Sequence, residues 1–283
     1  GSIFKPFVYL TALEHGYTPA SILQDTPFAL DTGASIWQPK NFSGKFEGPV
    51  TLRYAISRSI NAPTAKFYLD FGVDPVIQNA KQLGIVSKLP RVPALFLGAG
   101  DVTLREIVGA YSAFANQGVY VVPHLITRVE TLDGEILEQT RLDQREAIDP
   151  KLAYLVVDLL RTALKEGTGR GAYKRGFTST GAGKTGTTNE STNAWFCGFT
   201  PNVCAGVWVG FDDPTPMGRT ATGGHMALPI WALYMQKVYK DPTIHLSKGD
   251  FEKPLQPLSV SLDCNDFESQ SSQSRRQRRR SPR

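Results

Sequence analysis

Residues 182–201 read AGKTGTTNESTNAWFCGFTP. A lysine between glycines, followed by threonines, has two physical readings. One is a phosphate loop, which needs four residues between its first glycine and the Gly-Lys-Ser/Thr. Gly181-Ala182-Gly183-Lys184-Thr185-Gly186-Thr187 has the wrong spacing, so that reading fails. The other is a strand, whose alternation puts Lys184 and Gly186 on one face and Thr185 and Thr187 on the other. Lys184 then supplies positive charge and the threonine hydroxyls suit a carboxylate. Gly186 lets a substrate backbone lie close, and an edge strand offers its free N–H and C=O groups to an extended peptide.

Working outward, strand candidates at 181–188, 193–200 and 203–211 follow one another through short turns, which predicts antiparallel neighbours. Helical periodicity marks 6–15, closed by Gly16, and then 74–84, 103–117, 150–166 and 226–240. Thr51–Ser59 reads as a helix begun at a threonine cap. Asn61-Ala62-Pro63 breaks it, and a further helix runs to about Asp70. Residues 20–50, rich in Pro, Gly, Asn and Asp, read as irregular loop. Residues 120–138 read as strands around an Asp133-Gly134 turn. Late strands with helices packed on them predict an α+β domain.

The 283 residues are 41% hydrophobic and 20% charged, enough to bury a proper core. No apolar run approaches the roughly 20 residues that span a bilayer. Net charge is +5, but six arginines crowd positions 275–283, so the rest carries −1. The body therefore gives no case for nucleic acid. We divide the chain into a domain at 1–245 and a polar, arginine-rich tail at 246–283 that is expected to be disordered. Cys197, Cys204 and Cys264 show no CxxC spacing and the four histidines are scattered, so no metal is expected. Cys197 and Cys204 flank a Thr200-Pro201-Asn202 turn. They are either a cross-strand disulfide or two small buried side chains.

Two more pieces carry chemistry. In Ser2-Ile3-Phe4-Lys5 the hydroxyl and the amine share one helix face. A serine is a poor nucleophile until a base takes its proton. Lys5 can be that base if burial or a neighbouring cation lowers its pKa. Ser59-Ile60-Asn61 sits at the break between two helices, where a hydroxyl and an amide can relay a proton and hold a carbonyl. Each piece alone also suits an ordinary helix start or stop.

Together, Ser-x-x-Lys, Ser-x-Asn and Lys-Thr-Gly in this order form the motif set of penicillin-binding proteins and serine β-lactamases. From Gly1 to about Lys240 the chain resembles, more narrowly, the transpeptidase domain of class A, bifunctional penicillin-binding proteins. The resemblance rests on Gly1-Ser2-Ile3-Phe4-Lys5-Pro6, Ser57-Arg58-Ser59-Ile60-Asn61-Ala62-Pro63-Thr64, Leu97-Gly98-Ala99 and Gly167-Thr168-Gly169. It also includes Gly183-Lys184-Thr185-Gly186-Thr187-Thr188-Asn189, Asn193-Ala194-Trp195-Phe196, Val207-Trp208-Val209-Gly210 and Thr222-Gly223-Gly224.

This resemblance implies the penicillin-binding fold, an antiparallel sheet flanked by helices with a mostly helical subdomain. It implies peptidoglycan crosslinking by acyl transfer, inhibited by β-lactams, without cofactor or metal. Ser2 would attack the D-Ala-D-Ala bond of a donor stem peptide, and Lys5 would take its proton. Ser59, assisted by Lys184, would pass a proton to the departing D-alanine. Asn61, Thr185, Gly186 and Thr187 would bind the donor. The backbone N–H groups of Ser2 and Thr187 would form the oxyanion hole. In the family, further strands of the sheet, a linker, a glycosyltransferase domain and a membrane anchor precede the serine helix. The resemblance thus implies an N-terminally truncated domain, acting on the periplasmic face of the inner membrane. The motifs leave open a D,D-carboxypeptidase, a β-lactamase-like hydrolase or a catalytically impaired β-lactam-binding fragment.

Overall fold

A computed structural model describes residues 1–33, 35–218 and 220–264. A 3-10 turn at Ser2–Phe4 runs straight into α1 (Lys5–Glu14). The segment that follows holds β1 (Ile22–Asp25), β2 (Leu30–Asp31), β3 (Ile36–Trp37) and β4 (Gly48–Thr51). Helices α2 (Leu52–Ser57), α3 (Ala62–Phe71) and α4 (Asp74–Gln82) come next, then a 3-10 turn at Pro93–Leu97 and α5 (Leu104–Ala115). Four short strands follow: β5 (Val119–Val121), β6 (Arg128–Glu130), β7 (Ile136–Gln139) and β8 (Gln144–Glu146). The chain continues through α6 (Pro150–Lys165), α7 (Gly171–Lys174), β9 (Ala182–Thr187), β10 (Asn193–Phe199), β11 (Cys204–Gly210) and α8 (Ala227–Lys240).

The late strands form one antiparallel sheet in the order β11-β10-β9. Ala194 faces Thr187 on one side and Val209 on the other. Helices α5 and α6 pack on one side of this sheet, and α8 packs on the other with α7 against it. The α8 layer has its own core of Leu164, Phe177, Phe196, Leu228, Trp231 and Met235. The Trp231 indole, buried there, donates to Gly198 O at 3.1 Å, as a buried indole N–H must. The fold is thus α+β, with helices on both faces of an antiparallel sheet.

Helix α1 explains where the site lies. Every residue from Lys5 to Leu13 is buried, and a helix apolar all round belongs in a core. It lies among α2, α3, α4 and α6, and Lys5 is its one charged residue inside that core. Burying an ammonium is costly unless hydrogen bonds meet it or it gives up its proton. The first residue of α1 is therefore already a chemically unusual position.

Caps set the other boundaries. The Thr51 hydroxyl accepts from Tyr54 N at 3.1 Å, so the threonine cap read at 51 is present. Thr103 and Glu106 form a full capping box at α5, a reciprocal pairing that satisfies orphan N–H groups. The hairpin turn at Asp133-Gly134 also forms, with Gly134 N donating to Thr131 O at 3.1 Å.

Two readings are corrected, and one left open is decided. Residues 20–50 are not simply irregular, because β1 pairs with β4 and β2 with β3. These strands are two to four residues long, too short to show a period. Cys197 and Cys204 are not bridged, and all three cysteines are free thiols. Cys197 faces Gly206 while Cys204 faces Phe199, so the two are diagonal rather than directly opposed, with their thiols in hydrogen-bond contact but not joined. Packing also continues past residue 245. The Phe251 ring is buried against Phe199, and Leu262 O accepts from the Arg53 guanidinium at 2.9 Å. The arginine run at 275–283 lies outside the described residues.

Candidate active site

Four of the sequence-read side chains form one hydrogen-bonded group. Lys5 Nζ donates to Ser59 O at 2.8 Å, Ile60 O at 3.0 Å and Asn61 Oδ1 at 2.7 Å. Lys184 Nζ donates to Ser59 Oγ at 2.8 Å and Thr185 O at 3.1 Å. Helix α1, the α2–α3 break and the edge strand β9 therefore converge on Ser59. Their residues are up to 179 positions apart in the chain from Lys5 to Lys184, and only the fold brings them together.

Burial sets the charge state of both lysines. Neither has measurable exposure. Burial lowers the Lys5 pKa well below its ordinary value, and the nearby Lys184 charge lowers it further. Burial brings Lys184 down from 10.5 to about 7. A buried ammonium loses hydration, and two like charges oppose each other's protonation. Both effects act against the charged form of Lys5, and a proton acceptor needs the neutral one.

Ser2 stands one helical turn ahead of Lys5, at the mouth of the same continuous helix. Its hydroxyl makes no hydrogen bond among the described residues, while Lys5 is turned towards the Ser59–Asn61 loop. The backbone around Ser2 is pinned from three sides. Gly1 N donates to Gly98 O at 2.7 Å, Phe4 N to Gly1 O at 3.0 Å and the Tyr111 hydroxyl to Ile3 O at 2.7 Å. Gly98 has φ +87°, and a Cβ there would lie 1.9 Å from Gly1 O. Position 98 therefore tolerates only glycine, for conformation and for room.

The threonine side of β9 faces the other way, as alternation requires. The Thr185 hydroxyl donates to Thr168 Oγ1 at 2.7 Å, and Thr187 Oγ1 accepts from Gly223 N at 3.0 Å. The Thr187 backbone lies beside the start of the serine helix: a Cβ on Gly1 would fall 3.0 Å from Thr187 O. The two residues read as backbone oxyanion donors, Ser2 and Thr187, are therefore close neighbours. A Cβ on Gly186 would meet Ile3 N at 3.1 Å and Trp195 Cβ at 3.0 Å. Its missing side chain makes room for the start of the serine helix.

Ser59 carries a cost. Its φ is +59°, a left-handed conformation worth about 1–3 kcal/mol of strain for a residue with a Cβ. Lys5 on Ser59 O, and Ile60 N donating to Ala55 O at 2.9 Å, hold it there. Two further residues join the site without standing out in the sequence: Thr168, whose hydroxyl accepts from Thr185, and Asn41, whose Oδ1 accepts from Asn61 N at 2.9 Å. Nothing local in the sequence around Asn41 announces that contact.

Comparison with known proteins bears on this arrangement. Residues 1–236 match the family described as penicillin binding protein transpeptidase domain. Penicillin-binding protein 1A of Neisseria gonorrhoeae is 39% identical over 249 residues, covering 85% of this chain and 31% of that protein. The chain thus spans about a third of the length of such relatives. Among solved structures, penicillin-binding protein 1A from Haemophilus influenzae superposes with a TM-score of 0.80 at 29% identity, over 92% of this chain and 43% of that one. An imipenem acyl-enzyme complex of penicillin-binding protein A from Mycobacterium tuberculosis superposes with a TM-score of 0.71 at 26% identity, over 83% and 59%. With the family match running from the serine turn into α8, and with the three motifs meeting around Ser59, the chain belongs to the transpeptidase domain family of the penicillin-binding proteins.

Proposed function

We propose that this domain is a D,D-transpeptidase that crosslinks peptidoglycan stem peptides through an acyl-enzyme on Ser2, and that β-lactams acylate the same serine. The observation that carries the reading is the pair of fully buried lysines sharing the Ser59–Asn61 loop, one helical turn from Ser2. A neutral amine donates two hydrogen bonds and keeps a lone pair, so Lys5 in that state releases one acceptor and can receive the Ser2 proton. Ser2 Oγ bonds to the carbonyl carbon of the penultimate D-alanine, and the oxygen becomes an oxyanion. The Ser2 and Thr187 N–H groups stabilise it, each donor worth about 2.7–4 kcal/mol. Collapse breaks the C–N bond. The departing D-alanine amine takes a proton through Ser59, which Lys184 holds at 2.8 Å. The acceptor stem's amine then attacks the ester, loses its proton by the reverse route and frees Ser2.

The donor's terminal carboxylate suits the hydroxyls of Thr185 and Thr187, with Thr168 beside them. Asn61 suits the donor amide. The same reading puts the domain on the periplasmic face of a bacterial inner membrane. In a full-length protein, an anchor and a glycosyltransferase domain would accompany it there. No described helix is long and apolar enough to cross a membrane.

The test is mass spectrometry after incubation with a fluorescent penicillin. One stable adduct on the Ser2 peptide is expected, and none in Ser2→Ala. A folded wild-type protein without an adduct, or rapid turnover of the drug, would overturn the transpeptidase reading. Turnover would favour a hydrolase.

A further inference from the structure

The catalytic loop is held from behind by a side chain that belongs to none of the three motifs. Asn41 is 8% exposed and Asp25 is fully buried. Asn41 Oδ1 accepts from Asn61 N at 2.9 Å and from Ala62 N at 3.0 Å. These are among the first N–H groups of α3, and no side-chain cap hydrogen bond comes from its own N-cap residue, Asn61. Helix starts leave such donors orphaned, and an oxygen must meet them. Here the oxygen comes from 20 residues upstream.

The Asn41 amide has only one orientation. Its Nδ2 donates to Asp25 Oδ1 at 2.7 Å and Lys45 O at 2.8 Å. Flipping it would set its NH2 against the two backbone N–H groups and its oxygen against a carboxylate and a carbonyl. The other Asp25 oxygen accepts from Glu47 N at 2.8 Å, and β1–β4 pairing sets Asp25 opposite Gly48. The same segment also reaches the Asn61 side chain, because Asn61 Nδ2 donates to Lys40 O at 2.8 Å. Asn61 is thus fixed through its backbone by Asn41, through its amide nitrogen by Lys40 and through its amide oxygen by Lys5.

We infer that Asn41, braced by Asp25, is a positioning residue for acyl transfer at Ser2. It sets where the Ser59–Asn61 backbone meets Lys5 and Lys184. This rests on the function proposed above. The loop bears the left-handed Ser59 and supplies three acceptors to Lys5, so a displaced Asn61 backbone moves the base as well as the relay. Displacements of about 1 Å in such a constellation cost on the order of 100-fold in rate.

The experiment measures the second-order rate of Ser2 acylation by a fluorescent penicillin in the full chain, together with the labelling end point and a thermal melt. Asn41→Ala should acylate on the order of 100-fold more slowly yet reach the wild-type end point. Asn41→Asp should also be slow, because it sets two carboxylates face to face. The exchange Asn41→Asp/Asp25→Asn restores an amide donating to a carboxylate that still accepts both backbone N–H groups but leaves Lys45 O without its donor, so it should recover part of the rate and be faster than Asn41→Asp alone. A wild-type rate in Asn41→Ala would overturn the inference. So would slowness that merely follows a lost folded fraction, seen as a reduced end point at the normal rate. If Asn41→Ala does not fold, the Asp pair decides: an exchange variant no faster than Asn41→Asp alone also overturns it. Failure of the wild-type protein to label would instead strike the underlying reading of Ser2.

Discussion

Lys184→Met should stabilise this protein most at acid pH and least at alkaline pH. Folding buries the Lys184 ammonium completely and lowers its pKa from 10.5 to about 7. At roughly 1.4 kcal/mol per tenfold change in proton affinity, that corresponds to about 5 kcal/mol against the folded state. The sign follows from linkage. Between about pH 7 and 10.5 the native state binds fewer protons than the unfolded chain, so stability rises with pH there. The penalty is fully present below about pH 7 and fades as pH climbs towards 10.5; at about pH 9 roughly 2 kcal/mol of it is left. Methionine carries none of it. Met also forfeits the hydrogen bonds to Ser59 Oγ and Thr185 O, but that loss is constant with pH. Removing Lys184 relieves Lys5 as well, since the Lys184 charge is one of the two causes of its lowered pKa, and that acts in the same direction. Melts of both proteins at about pH 6 and about pH 9 should therefore show the gap moving against the mutant by roughly 3 kcal/mol, or about 6 °C or more in Tm. A gap that is flat with pH, or that moves towards the mutant as pH rises, would refute the buried-ammonium argument. Acylation of Ser2 should be lost in the same variant.

Two further outcomes are expected. Burial alone would raise the Glu106 pKa, but hydrogen bonds from Thr103 and Ser87 outweigh it and hold the carboxyl at about 2. Glu106→Gln should therefore cost about 1–3 kcal/mol near neutral pH. That difference should disappear as pH falls from 4.5 through about 2, read by chemical denaturation along a pH series. Ellman titration of the denatured chain without reductant should count three thiols. A count of one would show that two of the three are joined, and peptide mapping would say whether they are Cys197 and Cys204.

The motifs were legible because the acyl transfer proposed above would need particular groups close together in sequence: Ser2 and Lys5 one turn apart, Ser59 beside Asn61, Lys184 beside Thr185. The late strands were legible because alternation and short turns are local signals, as was the Thr51 cap. The polar stretch after residue 245 looked like a tail because composition does not show that Phe251 has Phe199 to pack against. That Ile3 packs over Gly186 is likewise a contact between distant parts of the chain that a sequence does not show.

What the sequence alone determined is the inventory of reactive groups and the α+β pattern that carries them, since both follow from residue type and period. What tertiary structure alone decided is their state and aim. Burial lowers the Lys5 pKa well below its ordinary value and brings Lys184 down to about 7. The Ser59–Asn61 loop keeps its strained shape because Lys5, Lys40 and Asn41 grip it from three directions. Desolvation and long-range hydrogen bonds are properties of the packed chain. No window of sequence contains them.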